Sequence, residues 1–147
     1  MTARAATTGG CLCGAVRFRV EGALEPIQVC HCAQCRRAHG GPFAAVVPVA
    51  TARFALLAGA DALQAFESSP GKERVFCRTC GSPVLSRRAA RPDAVRVRAG
   101  LFDVPLGIAV GLHQHVASAC DWWPVEDDGT PHHPGPPPSA SPSETAP

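Results

Sequence analysis

Apolar and charged residues alternate with a period of two in Ala15-Val-Arg-Phe-Arg-Val20 and again in Ala94-Val-Arg-Val-Arg-Ala99. Such alternation predicts strands with one buried face, carrying Val16, Phe18 and Val20 in the first and Val95 and Val97 in the second, with arginine on the wet face. Phe43 to Val49 reads as a more buried strand whose Pro48 belongs at an edge, because proline cannot donate to a ladder. Shorter strands are expected at Arg53–Leu57, Leu63–Glu67, Lys72–Phe76, Val84–Arg87 and His113–Val116, separated by turn signals at Gly59, Ser69-Pro70-Gly71 and Arg91-Pro92-Asp93. Cys32–His39 alone suits a helical turn. The pattern is that of a small all-β domain over residues 9–125. Residues 1–8 read as a loose lead-in, and residues 126–147, acidic and then rich in Pro and Ser, read as a disordered tail unable to bury a core.

With 147 residues and 46% hydrophobic content, the chain can build one core. The N-terminus lacks the apolar stretch of a signal peptide, and no run approaches the roughly 20 apolar residues of a membrane span. A soluble, reducing, cytoplasmic setting is therefore expected, where clustered cysteines bind metal more often than they form disulfides. The formal charge is +2. Seven thiolates on two dications would bring it to about −1, which removes the electrostatic case for nucleic acid. Thirteen arginines against the single Lys72 suggest high-GC codon usage.

Seven of the eight cysteines lie in three clusters: Cys11-Leu-Cys13-Gly14, Cys30-His-Cys32-Ala-Gln-Cys35 and Cys77-Arg-Thr-Cys80-Gly81. Zn²⁺ takes four ligands in a tetrahedron, so seven divide as a closed site of four and an open site of three. Cys13 and Cys80 are each followed by glycine, which permits the positive φ that turns backbone N–H groups toward thiolate sulfur. Cys35 is followed by Arg36. On this reasoning Cys11, Cys13, Cys77 and Cys80 form a closed structural zinc site, and Cys30, Cys32 and Cys35 an open one able to admit water or substrate. One alternative makes both sites architectural, with His31, His39 or His113 completing the second tetrahedron. A thioredoxin-like C-x-x-C is another, disfavoured by the lack of a βαβ context. Cys120, without a partner, reads as a buried inert thiol.

These motifs, together with Phe43, Ser68-Ser-Pro-Gly71, Arg74-Val-Phe-Cys77, Gly100-Leu-Phe-Asp103 and His113-Gln-His-Val-Ala-Ser-Ala-Cys-Asp-Trp122, make the chain resemble the glutathione-dependent formaldehyde-activating family, also called centromere-protein-V-like. The resemblance runs from about Gly9 to Pro131. It implies an Mss4-like, β-tent fold, a structural zinc on Cys11, Cys13, Cys77 and Cys80, a catalytic zinc on Cys30, Cys32 and Cys35, and a carbon–sulfur lyase activity that joins formaldehyde to the glutathione thiol.

Two mechanisms suit an open three-cysteine site. Either a substrate thiol is held as thiolate and adds to an aldehyde, or bound water or a polarised carbonyl leads to hydrolysis or rearrangement of another small molecule. A non-catalytic zinc-binding carrier domain is the remaining alternative. Partners are a small-molecule substrate and a low-molecular-weight thiol. Accessory candidates are Arg36 and Arg37 as receivers of a substrate carboxylate, His31 as a hydrogen-bonding neighbour or proton shuttle, and His113 near the pocket. Asp103 reads as an orienting carboxylate, a partner for those arginines or a turn residue, and Trp122, Trp123, Phe43, Phe76 and Phe102 as core. His132 and His133, in the tail, receive no role.

Overall fold

The computed structural model describes residues 5–103 and 105–138. Ten strands and one short helix follow in the order β1 (Ala6–Gly10), β2 (Arg17–Glu21), β3 (Ile27–Cys30), α1 (Ala33–His39), β4 (Ala44–Ala50), β5 (Phe54–Ala58), β6 (Leu63–Ser69), β7 (Lys72–Cys77), β8 (Pro83–Arg88), β9 (Arg91–Arg98) and β10 (Val110–Gln114). A three-stranded sheet runs β1-β2-β5 and a seven-stranded sheet runs β10-β3-β4-β9-β8-β7-β6. The pairings are antiparallel except that of β10 with β3. The domain is thus all-β, with α1 as its one α-helix among the described residues. No helix among them is long and apolar enough to cross a membrane.

The core lies between the two sheets. Val16, Phe18 and Val20 of the small sheet and its leading loop are fully buried, and they pack with Val47, Val49, Val75, Val84, Val95 and Val97 of the large one. Phe18 is its centre, stacked on Phe54 and met edge-on by Phe102, each with ring centroids 5.4 Å apart. Truncating a buried ring of this kind costs about 3–5 kcal/mol, from lost transfer energy plus the cavity left behind. The period-two reading of these strands therefore selects the right residues for the core.

Several expectations need correction. Strand β4 is interior, between β3 and β9. Its Pro48 is nevertheless compatible, since it pairs with Arg96 of β9 but lies beyond Val46, the last residue paired with β3. The lead-in is shorter than expected, because Ala6–Gly10 pairs along the whole of β2. The tail is not loose up to residue 138: its backbone bonds to β10 through His113 N–H to Pro131 O (2.9 Å), His133 N–H to His113 O (2.9 Å) and His115 N–H to Gly135 O (3.0 Å). An open strand edge offers unpaired donors and acceptors, and a Pro-rich segment can use them without a core of its own. Residues 1–4 of the expected lead-in and 139–147 of the expected tail lie outside the described residues. Trp122 and Trp123, expected in the core, are 62% and 51% exposed, and Cys120 is half-buried. They follow β10 in a stretch that no sheet covers.

Candidate functional site: two cysteine clusters and a cationic recess

All eight cysteines are free thiols, and the three sequence clusters become two groups in space. Cys11 and Cys13 occupy the β1–β2 connection of the small sheet, and Cys77 and Cys80 the β7–β8 connection of the large one. Their four sulfurs lie within 4.8 Å of one another. The Sγ–Sγ separations of Cys11 to Cys13 (3.6 Å) and Cys13 to Cys77 (3.8 Å) match the edge of a tetrahedron whose centre is about 2.3 Å from each sulfur, roughly 3.8 Å. The donor set thus fits a tetrahedral ion of the zinc type. Gly14 and Gly81 have φ of +82° and +80°, and each closes its turn by donating its N–H to the carbonyl of the first cysteine, Gly14 to Cys11 and Gly81 to Cys77.

Around this cluster, polar groups favour the thiolate form of Cys11 and Cys80, while at Cys13 the Ala15 backbone bond is outweighed by desolvation and the neighbouring thiols, which push it up to about 11. Val16 N–H points at Cys11 Sγ (3.2 Å). Burial opposes ionisation of Cys11, but this backbone bond and those with Cys13 and Cys77 outweigh it and lower its pKa. Cys80 is held at about 5 by the Ser82 hydroxyl and backbone and then by the Cys13 backbone. Leu12 N–H reaches Ser82 Oγ (3.0 Å), so the two loops are also tied directly.

The second group is Cys30, at the end of β3, with Cys32 and Cys35 around the start of α1. All three are buried, and their sulfurs lie within 4.8 Å of one another. Cys32 caps the helix, its sulfur accepting the Cys35 N–H at 3.3 Å, and Gly40 ends it in the left-handed conformation. No histidine joins this group among the described residues, so the expected alternative of a fourth ligand from His31, His39 or His113 is not formed.

What surrounds these thiols is the far face of the large sheet. Register places Pro48, Arg96, Ser86 and Arg74 side by side across β4, β9, β8 and β7, with Lys72 opposite Arg88 and Arg98 opposite Val46. Side chains two apart share a face, so Lys72 and Arg74, Ser86 and Arg88, and Arg96 and Arg98 all point away from the core. Lys72, Arg74 and Arg98 are nevertheless only 5–8% exposed. The expectation that arginine takes the wet face holds for Arg19, which is exposed, but fails for Arg98.

Together with Gln114 and His115 these cations line a recess of about 20 Å³ against Cys30 and Cys35, room for one small group. The recess shares Ser86, Arg88, Arg96 and Gln114 with an outer cavity of about 140 Å³ walled also by Gln28, Arg91 and Pro137. Among the described residues, no carboxylate lines either one.

The electrostatics follow from this crowding. Hydrogen bonds from Cys30 and Cys32, and then the charges of Arg74 and Lys72, hold the Cys35 thiol far below its ordinary range. Both Arg74 Nη atoms stand 3.9 Å from its sulfur. Cys30 is pushed up by its bonds with Cys32 and Cys35, so the two ends of the group are driven in opposite directions. Burial, then Arg74 and Arg88, lower Lys72 to about 8, and burial lowers Arg98 to about 10. Arg98 Nε has no hydrogen-bond partner.

The accessory candidates fall elsewhere. Arg36 donates to Ser118 O (3.2 Å) and Arg37 is exposed, so neither lines the recess. His31 is buried and turned away from the sulfurs, its Nε2 2.9 Å from His113 Nδ1 and its ring against Phe43. His113 points to this side of β10, and it is Gln114 and His115 that face the recess. Asp103 pairs with Arg17, Nη1 to Oδ1 at 3.0 Å, and accepts from Thr8 Oγ1 at 2.7 Å, which ties the loop after β9 to the small sheet. Sequence reasoning thus missed Lys72, Arg74, Arg88, Arg96, Arg98, Gln114 and His115. The available signal was the paired cations at i and i+2 in two strands flanked by other strands on both sides.

Comparison with known proteins agrees with this geometry. The family model described as "Glutathione-dependent formaldehyde-activating enzyme" matches residues 6–118. A protein of Halomonas elongata named "Putative glutathione-dependent formaldehyde-activating enzyme" is 31% identical over 126 residues, covering 80% of each chain. A crystal structure of a Rhodobacter sphaeroides protein superposes with a TM-score of 0.58 at 28% identity, covering 70% of this chain and 97% of that one. With its cysteine motifs gathered inside the matched region, the chain belongs to the glutathione-dependent formaldehyde-activating enzyme family.

Proposed function

We propose that this chain is a zinc-dependent carbon–sulfur lyase of the cytoplasm that joins formaldehyde to the thiol of glutathione or a similarly anionic small thiol. In this reading Cys11, Cys13, Cys77 and Cys80 hold a structural zinc, and Cys30, Cys32 and Cys35 a catalytic one. The carrying observation is the placement of three buried thiols against a recess whose described lining includes Lys72, Arg74, Arg88, Arg96 and Arg98. So cationic a lining suits an anionic ligand, and glutathione brings two carboxylates to it.

A zinc ion on the three cysteines would hold the substrate thiol in its thiolate form. The recess takes one small reacting group, while the outer cavity receives the rest of the thiol, its carboxylates within reach of Arg88, Arg91 and Arg96. The sulfur forms a bond to the aldehyde carbon, the carbonyl π electrons pass to oxygen, and that oxygen takes up the proton the thiol gave away. Arg74 and Arg98 stabilise the negative charge developing on oxygen, in a site where water cannot screen it. Lys72, poised near 8, carries the proton between thiol and alkoxide.

Formaldehyde consumption measured with glutathione, and with cysteamine as a thiol lacking carboxylates, tests the reading. Acceleration over the spontaneous reaction is expected with glutathione and at least about tenfold less with cysteamine. No acceleration with any small thiol would remove the lyase assignment.

A further inference from the structure

His113, Asp128 and His132 form a third cluster of metal-ligating side chains, with donors separate from both cysteine groups. His113 Nε2 stands 2.8 Å from Asp128 Oδ2, and His132 Nε2 stands 3.2 Å from Asp128 Oδ1. The three ligand atoms lie within 4.8 Å of one another. Ligands about 2.1 Å from a common ion are about 3.0 Å apart in an octahedron and 3.4 Å in a tetrahedron, so three donor atoms within 4.8 Å of one another need only a small side-chain adjustment to share one ion.

The side chains are held from outside the cluster. His31 Nε2 engages the other nitrogen of His113 at 2.9 Å, the usual way an imidazole ligand is oriented. Thr130 donates to Asp128 Oδ1 from both its backbone N–H (3.0 Å) and its hydroxyl (2.6 Å). The backbone bridge between His113 and His132 sets the two rings 4.6 Å apart, centre to centre. Three elements of support thus converge on one point at the surface, and the donor set of two imidazoles and a carboxylate is one that binds borderline divalent ions.

We infer that His113, Asp128 and His132 bind a divalent first-row ion such as Zn²⁺, which fastens the segment after residue 126 to β10. His113 belongs to the strand, Asp128 and His132 to the segment, so the ion crosslinks them. The same segment carries Pro137 to the wall of the outer cavity, and the ion would set that wall. The inference does not depend on the lyase reading, since it concerns binding alone.

The full chain, first loaded with two equivalents of Zn²⁺ to fill the cysteine groups, is titrated with Co²⁺ by calorimetry and absorption. One further equivalent is expected, showing weak visible bands without the near-ultraviolet thiolate charge transfer that marks cysteine ligation. His132→Ala should abolish it and Asp128→Asn weaken it by at least about tenfold, with the melting temperature of the zinc-loaded protein kept within a few degrees. Absence of a third equivalent in the wild type, or an equal third equivalent in His132→Ala, would overturn the inference.

Discussion

The two cysteine groups share one donor chemistry and differ in nearly everything around it. The four-cysteine group lies where two loops from different sheets meet, with Cys13 exposed, Cys80 half-exposed, and a hydroxyl and backbone N–H groups as immediate company. The three-cysteine group is buried between the start of α1 and the far face of the large sheet, among the cations Lys72, Arg74, Arg88, Arg96 and Arg98. An ion in the first would have its ligands complete and join two sheets. An ion in the second would have one position left and face a cavity. The number of thiols thus sets which group would stay open, and the neighbouring charges set what that position would receive.

The sharpest way to break the comparison is to remove one ligand from each group. Cys77→Ala deletes a thiol that is fully buried at the seam of both sheets. With the crosslink lost, a destabilisation of more than about 5 kcal/mol is expected, comparable to the whole stability of a small domain, and expression should yield insoluble or unfolded protein. Cys32→Ala should instead give a folded protein with one metal fewer and no activity, by elemental analysis and circular dichroism. Equal collapse of both variants would make the two groups architectural alike.

A smaller effect is expected from the cations. Arg98→Met removes a buried guanidinium whose Nε has no partner. We expect kcat/KM with glutathione to fall about 10²–10³-fold, as for the loss of one preorganised charge at a developing oxyanion. The melting temperature should be unchanged or raised, because an unbalanced buried charge costs stability. A loss of activity matched by a loss of stability would count against the recess as a binding site.

The mildest expected change is with pH. The Lys72 ammonium is disfavoured by burial and by Arg74, so its pKa falls from 10.5 to about 8. It binds its proton less tightly when folded than when unfolded. Its contribution to stability therefore rises with pH between about 8 and 10.5 and is constant below that window. Function runs the other way: loss of the charge above pH 8 should lower kcat/KM up to about tenfold per pH unit. Lys72→Arg, which keeps the charge, should move that decline upward, and an unchanged profile would exclude Lys72 as the titrating group.

Much of this was readable along the chain because it is local. A period of two selected Val16, Phe18, Val20, Val95 and Val97 as core. The glycines after Cys13 and Cys80 take the positive φ their positions demanded, and the four-and-three division of seven cysteines is the grouping in space. Other features were beyond local reasoning. The same alternation that buried Val95 and Val97 assigned Arg96 and Arg98 to water, since a single strand shows two faces but not what covers the second. Likewise, a run of Pro, His and Gly shows no core-forming pattern, although the unpaired edge of β10 was available to bind it.

By itself, then, the amino-acid order determined most of the strands, though not β1 or β3, the core face of the alternating ones and the membership of both cysteine groups, all of which follow from spacing over a few residues. The tertiary structure alone decided that Lys72, Arg74, Arg88, Arg96 and Arg98 meet over Cys30 and Cys35, and that His132 meets His113 and Asp128. Those contacts join strands far apart in sequence. Their register is set by the burial of the opposite face, and no local property of the chain records it.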